Sequence, residues 1–241
     1  MKKKKGTRTG TGTTLLLIVA ALAVWGWQQW EESHRSGPDS PKEWPGAPAE
    51  TGNGRSNRDS GKKSGAPVRK GGYERFDGCV LIRHRNNDGD SFHVRLPDGR
   101  AKEFRLYFVD APESHRKHYR GGDTNLDRIR HQAKYFKISA DRAVEVGGEA
   151  QKRVAELLSR SPFTIFTKWE PVFESGRYFA FVRPGNGQWL HEWLVREGLA
   201  RIYTKGEKLP DGTSEKQRKS RLRQIEAKAR AAQKGAWAPR Q

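Results

Sequence analysis

Three short stretches of this chain carry charged groups of the kinds that hydrolysis of a phosphodiester requires. They are Asp88-Gly89-Asp90-Ser91, the run Arg105-Leu106-Tyr107-Phe108-Val109-Asp110-Ala111-Pro112-Glu113, and Gly176-Arg177. Asp90 and Asp110 are candidates to hold a hard cation, Glu113 to move a proton, and Arg105 and Arg177 to grip a phosphate. Calcium takes about six to eight oxygens from carboxylates, carbonyls and water, so two carboxylates and the Ala111 carbonyl leave positions for water and a phosphate oxygen. A guanidinium matches two phosphate oxygens at once and stays protonated at every working pH. Pro112 restricts Ala111 to an extended backbone and so fixes the path from Asp110 to Glu113. Each feature has an ordinary reading when taken alone: a hairpin turn at Asp88-Gly89, a solvated glutamate, surface ion pairs for the arginines. Arg105 and Asp110 are also separated by an odd interval, which puts them on opposite faces of a regular strand. A shared site therefore demands a bend or a strong twist near the strand end.

The elements that must position these residues follow from turn signals and hydrophobic periodicity. Strands are predicted over residues 79–85, 91–96 and 102–109, with hairpin signals at Asp88-Gly89 and Asp98-Gly99. Ala150, Val154, Leu157 and Leu158 recur at helical spacing, and two more strands are predicted over 163–168 and 178–182. Leu190, Trp193 and Leu194 mark a second helix that stops near Gly198. A third starts at Ser214, where Ser214 and Gln217 have capping-box spacing; its apolar face is Leu222, Ile225, Ala229 and Ala232, and Gly235 ends it so that Trp237 folds back. The order predicts an α+β fold with a mainly β core: a five-stranded Greek-key barrel of the OB type with about three helices. The basic segment 115–139 holds His115, His118 and His131, which could suggest a second metal, but without regular ligand spacing it reads as a solvated, phosphate-attracting loop, the alternative being a segment that gates or lengthens the nucleic-acid groove.

Composition narrows the partners. Among 241 residues, 47 Lys and Arg stand against 28 Asp and Glu, a net charge of +19 that favours polyanions such as nucleic acid or anionic lipid. The single cysteine, Cys79, rules out an intramolecular disulfide and reads as a small buried hydrophobe. Lys2-Lys3-Lys4-Lys5 followed by the apolar run 15–27 reads as an export signal. Cleavage near Ala21-Leu22-Ala23 would release the protein. Trp25, Trp27 and Trp30 instead suit a signal anchor, although the run is shorter than the roughly 20 residues of a comfortable span. Residues 31–72, rich in Gly, Pro, Ser and basic side chains, read as a flexible tether. The layout expected is a signal peptide or anchor over 1–30, a linker over 31–72 and a folded domain over 73–241, outside the cytoplasm and either membrane-anchored or secreted.

The motifs together resemble the staphylococcal nuclease (thermonuclease) family, over roughly residues 76–237. Besides the three charged stretches, Gly176-Arg177-Tyr178-Phe179-Ala180, the helix residues Leu190-His191-Glu192-Trp193-Leu194-Val195-Arg196-Glu197-Gly198-Leu199-Ala200 and the closing Lys234-Gly235-Ala236-Trp237 carry the resemblance. It implies a calcium-dependent, sugar-nonspecific nuclease that cuts DNA and RNA and leaves 3′-phosphate ends. By the same resemblance, Asp90, Asp110 and the Ala111 carbonyl ligate calcium, Glu113 assists the attacking water, and Arg105 and Arg177 bind the phosphate and stabilise the transition state. Ser91 and Ala111 stand where the family often has threonine, and Ser175 where an aromatic often precedes the Gly-Arg pair. Tyr178 and Tyr203 are the substitute candidates for base stacking, and both are also compatible with a core role. The expected partners are DNA and RNA, and the membrane through the N-terminal segment; no protein partner is inferred and a monomer is expected. Two alternatives stand beside this reading: a noncatalytic nucleic-acid-binding barrel at the cell surface, and a surface protein that binds anionic envelope polymers by charge.

Overall fold

The computed structural model describes residues 68–119 and 121–239. The expected signal or anchor and nearly all of the expected tether lie outside the described residues. The described chain runs β1 (Val68–Lys70), β2 (Tyr73–Leu81), β3 (Ser91–Arg95), β4 (Ala101–Leu106) and β5 (Val109–Asp110). Next come helices α1 (Leu126–Phe136) and α2 (Ala140–Ser159), then β6 (Phe163–Pro171) and β7 (Tyr178–Arg183). Helix α3 (Leu190–Arg196), β8 (Arg201–Ile202), α4 (Glu215–Ala231) and a 3-10 turn (Gly235–Trp237) complete it. β1, which pairs with β2, falls within the stretch read as tether.

Five strands close on themselves in the order β2-β3-β4-β7-β6, with β6 returning to pair with β2. All neighbours are antiparallel except β4 and β7, and the two helices of the longest crossover lie between β5 and β6. This is the OB-type Greek-key barrel in an α+β chain. Phe92, Val94 and Leu96 alternate into its interior along and just beyond β3, as a half-buried strand requires. β2 buries Tyr73, Phe76 and Cys79, and between the last two a register shift, with Gly78 at φ +84°, inserts a bulge that sets their interval of three. The α2 stripe Ala143, Val146, Ala150, Val154 and Leu158 is buried. Ser214 and Gln217 form the expected capping box of α4, and Trp237 folds back to within 4.8 Å of the Phe136 ring, centroid to centroid.

Two departures from the sequence expectation matter for the site. The stretch 102–109 is not one strand: it breaks after Leu106, and Phe108 adopts a left-handed conformation, φ +71°, before β5 begins. That conformation costs a non-glycine residue about 1–2 kcal/mol. It is held by hydrogen bonds from Phe108 N to Lys205 O and from Tyr203 N to Phe108 O, both 2.9 Å, and by complete burial of the ring. The second departure is α1, a fourth α-helix within the segment read as a loop. Leu126, Ile129, Ala133 and Phe136 recur at helical spacing along it, a pattern that the loop reading passed over because basic residues lie between them. What it buries besides Ile129, Ala133 and Phe136 is polar: Arg128 and Gln132.

Candidate active site

The turn before β3 is shaped by Asp88, whose Oδ1 accepts from the backbone N–H of Asp90 at 3.0 Å and of Ser91 at 2.7 Å. Gly89 brings this turn onto the β5 exit. A methyl group there would lie 2.7 Å from Ala111 Cβ and 2.8 Å from Ala150 Cβ. The close approach lets Ala111 N donate to Asp90 Oδ2 at 2.6 Å. Asp88 is therefore a turn-former, and Asp90 is the carboxylate that points inward.

The bend at Phe108 resets the strand alternation, so Arg105 and Asp110 share a face despite their odd spacing. Arg105 Nη2 lies 2.8 Å from Asp110 Oδ1, and Arg105 Nη1 lies 3.2 Å from Asp90 Oδ1. Arg177 enters from the start of β7. Its Nη1 donates to Ser91 Oγ at 3.5 Å, where Arg105 Nη1 also donates at 3.4 Å, and its Nε donates to Ser175 Oγ at 3.0 Å. Two guanidiniums thus meet over one hydroxyl beside two carboxylates. Asp90, Asp110, Arg105, Arg177 and Glu113 are all buried. Glu113 joins through its neighbours: Arg128 Nε sits 2.8 Å from its Oε1, while Asn125 Nδ2 donates at 3.2 Å to its Oε2 and Lys117 Nζ lies 3.6 Å from the same atom.

The tyrosines separate. Tyr203 is 47% exposed, and its ring lies 3.9 Å from the Arg201 guanidinium, which itself reaches the site. Tyr178 is half-buried edge-to-face against Trp169 at 5.2 Å, with Lys102 above its ring.

Several residues of the cluster escaped sequence reasoning. Arg128 Nη2 lies 2.7 Å from Asp110 Oδ1, and Arg201 Nε lies 2.8 Å from Asp110 Oδ2. Gln132 Nε2 donates to Asp110 Oδ2 and to the Ala111 carbonyl, 3.0 Å each, while its Oε1 accepts from Glu113 N at 3.0 Å. The one available signal was the i, i+4 pair Arg128 and Gln132 beside Ile129 and Ala133, which places two polar side chains next to an apolar stripe.

Opposite forces act on the two aspartates. Burial pushes the Asp90 carboxyl up, to about 7, with Asp88 and Asp110 adding to the rise and Arg105 and Arg128 opposing it. Burial also acts to raise Asp110, but Arg128, Arg201 and Arg105, with the Gln132 hydrogen bond, outweigh it and hold that carboxyl well below the usual carboxylate range. Two buried carboxylates bridged by one guanidinium, with a backbone carbonyl beside them, offer the oxygen donors that a hard cation prefers. Asp90, Asp110 and the Ala111 carbonyl fit such an ion in donor chemistry. Among the described residues no group of three or more His, Cys, Asp or Glu is arranged to hold a metal.

Barrel and cluster together define an OB-fold protein: a closed five-stranded β-barrel that gathers buried carboxylates and guanidiniums at one spot. The chain belongs to the staphylococcal nuclease homologue family, whose model matches residues 103–239. That family is in general one of nucleases, which bind nucleic acid and typically use calcium. No curated protein matches the chain.

Proposed function

We propose that this chain is a calcium-dependent nuclease that hydrolyses DNA and RNA phosphodiester bonds without selecting the sugar and leaves 3′-phosphate ends. One observation carries the reading: Arg105 and Arg177 donate to the same Ser91 hydroxyl, at 3.4 and 3.5 Å, beside Asp90. A phosphate entering there can exchange that hydroxyl for its own oxygens. Preorganised guanidiniums are worth most where charge grows during in-line attack, in a site already shielded from water.

The roles follow from position. Asp90, Asp110 and the Ala111 carbonyl would hold calcium, which when bound neutralises charge on the phosphate. Arg105 orients the phosphate. Arg177 faces the leaving 5′ oxygen. Glu113 accepts the proton of the attacking water, its carboxylate oriented by the Asn125 amide. Tyr203, exposed at the rim, is the better candidate of the two tyrosines to stack a base; Tyr178 is occupied with Trp169. The surplus of basic residues supplies affinity through backbone phosphates, so binding is salt-sensitive and indifferent to base sequence. Four lysines followed by the apolar run 15–27 support export, with the domain held outside the cytoplasm by an uncleaved anchor or released, at the end of the 31–72 tether. No helix among the described residues is long and apolar enough to cross a membrane. The unit proposed is a monomer.

Digestion of plasmid DNA and of RNA by the purified chain, with calcium and then with a chelator, tests the activity, and end-group analysis tests the 3′-phosphate. Arg177→Ala should lower turnover by orders of magnitude while DNA binding persists. Binding without calcium-dependent cleavage by the wild-type chain would favour the noncatalytic reading.

A further inference from the structure

Asp110 has no acceptor position to spare. A carboxylate offers about four. Oδ1 is taken by Arg105 Nη2 at 2.8 Å and Arg128 Nη2 at 2.7 Å, and Oδ2 by Arg201 Nε at 2.8 Å and Gln132 Nε2 at 3.0 Å. Gln132 Nε2 also holds the Ala111 carbonyl at 3.0 Å. A calcium ion on Asp110 therefore needs one of these four donors to leave.

The four are not equally fixed. Arg105 lies within β4, between β3 and β7, at the positions that pair with Ser91 and Phe179. Arg201 pairs through its backbone with Asp110 itself, and its guanidinium packs on the Tyr203 ring at 3.9 Å. Arg128 and Gln132 instead come from α1, which belongs to neither strand ladder. Ile129 and Ala133 pack with Ala143 in a small cluster apart from the main core, while Phe136 and Tyr135 tie the C-terminal end of α1 to that core, Tyr135 also bonding to Glu226. Of the elements that supply the four donors, α1 is the one not held by strand pairing, and its N-terminal part, which carries Arg128, is the part able to give way.

Charge points the same way. Three buried carboxylates, Asp90, Asp110 and Glu113, face four buried guanidiniums, Arg105, Arg128, Arg177 and Arg201. Guanidiniums already outnumber carboxylates by one, and a dication added beside Arg128 would meet poorly screened repulsion.

Resting on the calcium reading above, we propose that Arg128 is the chain's own counter-ion for Asp110 and Glu113, that calcium binds by displacing it, and that α1 thereby gates the metal site. The test is calcium titration calorimetry on the full chain and its variants, without substrate. Arg128→Gln should bind calcium about tenfold tighter or more, since a unit charge leaves hydrogen-bonding distance of the ligand carboxylate. Asp90→Asn should bind more weakly and serves as the check on the site itself. Weakening by Asp90→Asn with unchanged or weaker binding by Arg128→Gln would overturn the gate and leave the calcium site standing. No calcium binding by any of the three would overturn both. If Arg128→Gln fails to fold, hydrogen exchange of the wild-type chain decides: α1 amides should lose protection on calcium saturation, and unchanged or greater protection refutes the gate.

Discussion

Gly147 and Gly148 sit side by side in α2 and differ in what faces them, which makes alanine at each a matched pair. At Gly147 a methyl carbon would lie 2.5 Å from both Glu113 C and Pro112 O, and nearer still to the Glu113 carbonyl oxygen. At Gly148 nothing lies within 4 Å. Both glycines carry the same helix-propensity penalty, about 1 kcal/mol relative to alanine, so Gly148→Ala should stabilise the domain by up to about that amount. Gly147→Ala gains the same term and must also move the Pro112–Glu113 backbone by about 1 Å to reach ordinary contact distance. Overpacking against a backbone that cannot rotate away costs about 1–3 kcal/mol. Propensity cancels between the two variants, so their difference isolates the clash: Gly147→Ala should be the less stable by about 1–3 kcal/mol in urea unfolding. The displaced segment carries Glu113, and a misplacement of about 1 Å in a catalytic group can lower rate by about a hundredfold. Initial rates of plasmid digestion should therefore fall by about that factor for Gly147→Ala and stay near wild type for Gly148→Ala. Equal stabilities, within about 0.5 kcal/mol, would refute the claim that α2 backs the Glu113 loop through that glycine.

Asp110→Ala strands Arg105, Arg128 and Arg201 around a void and should destabilise the domain by about 3–5 kcal/mol in denaturant melts; a loss under about 1 kcal/mol would contradict the arrangement. His191 is fully buried among Phe108, Phe181 and Trp189, with no hydrogen-bond partner for either ring nitrogen among the described residues. Burial, then Arg218, lowers its pKa well below the usual value, so the unfolded chain takes up a proton near pH 6.5 that the native chain refuses. Stability should therefore drop as pH falls below about 6.5, by up to about 1.4 kcal/mol per pH unit, and His191→Phe should flatten that slope in urea unfolding; an unchanged slope would exclude His191 as its source. Cys79 is buried, its thiol pushed up to about 12 by burial, so a thiol reagent at pH 8 should label the native chain only as fast as it unfolds; rapid labelling would place Cys79 at the surface.

Much of the site was legible because its chemistry is local. Asp90, Asp110, Glu113, Arg105 and Arg177 stand out by type and by their place at turns and strand ends, and the barrel follows from strand order. The bend that unites Arg105 with Asp110 was not legible. Glycine or asparagine would have announced a left-handed residue, whereas Phe108 is a good strand former held in that conformation by Lys205 and Tyr203, far along the chain. The role of α1 was hidden for a related reason: its key buried residues are an arginine and a glutamine, whose burial makes sense only once Asp110 and Glu113 are in front of them.

Sequence alone therefore determined which groups can carry charge, which can ligate, and which order of strands must enclose them. Tertiary structure decided how far apart the proton affinities of the two aspartates lie and which donors surround Asp110. Asp110 owes its low proton affinity largely to Arg128, 18 residues away, and Arg201, 91 residues away, while Asp90, with fewer such partners, is pushed the other way by burial. Coulomb attraction and desolvation depend on distance and on the exclusion of water, and neither quantity exists until the chain has folded.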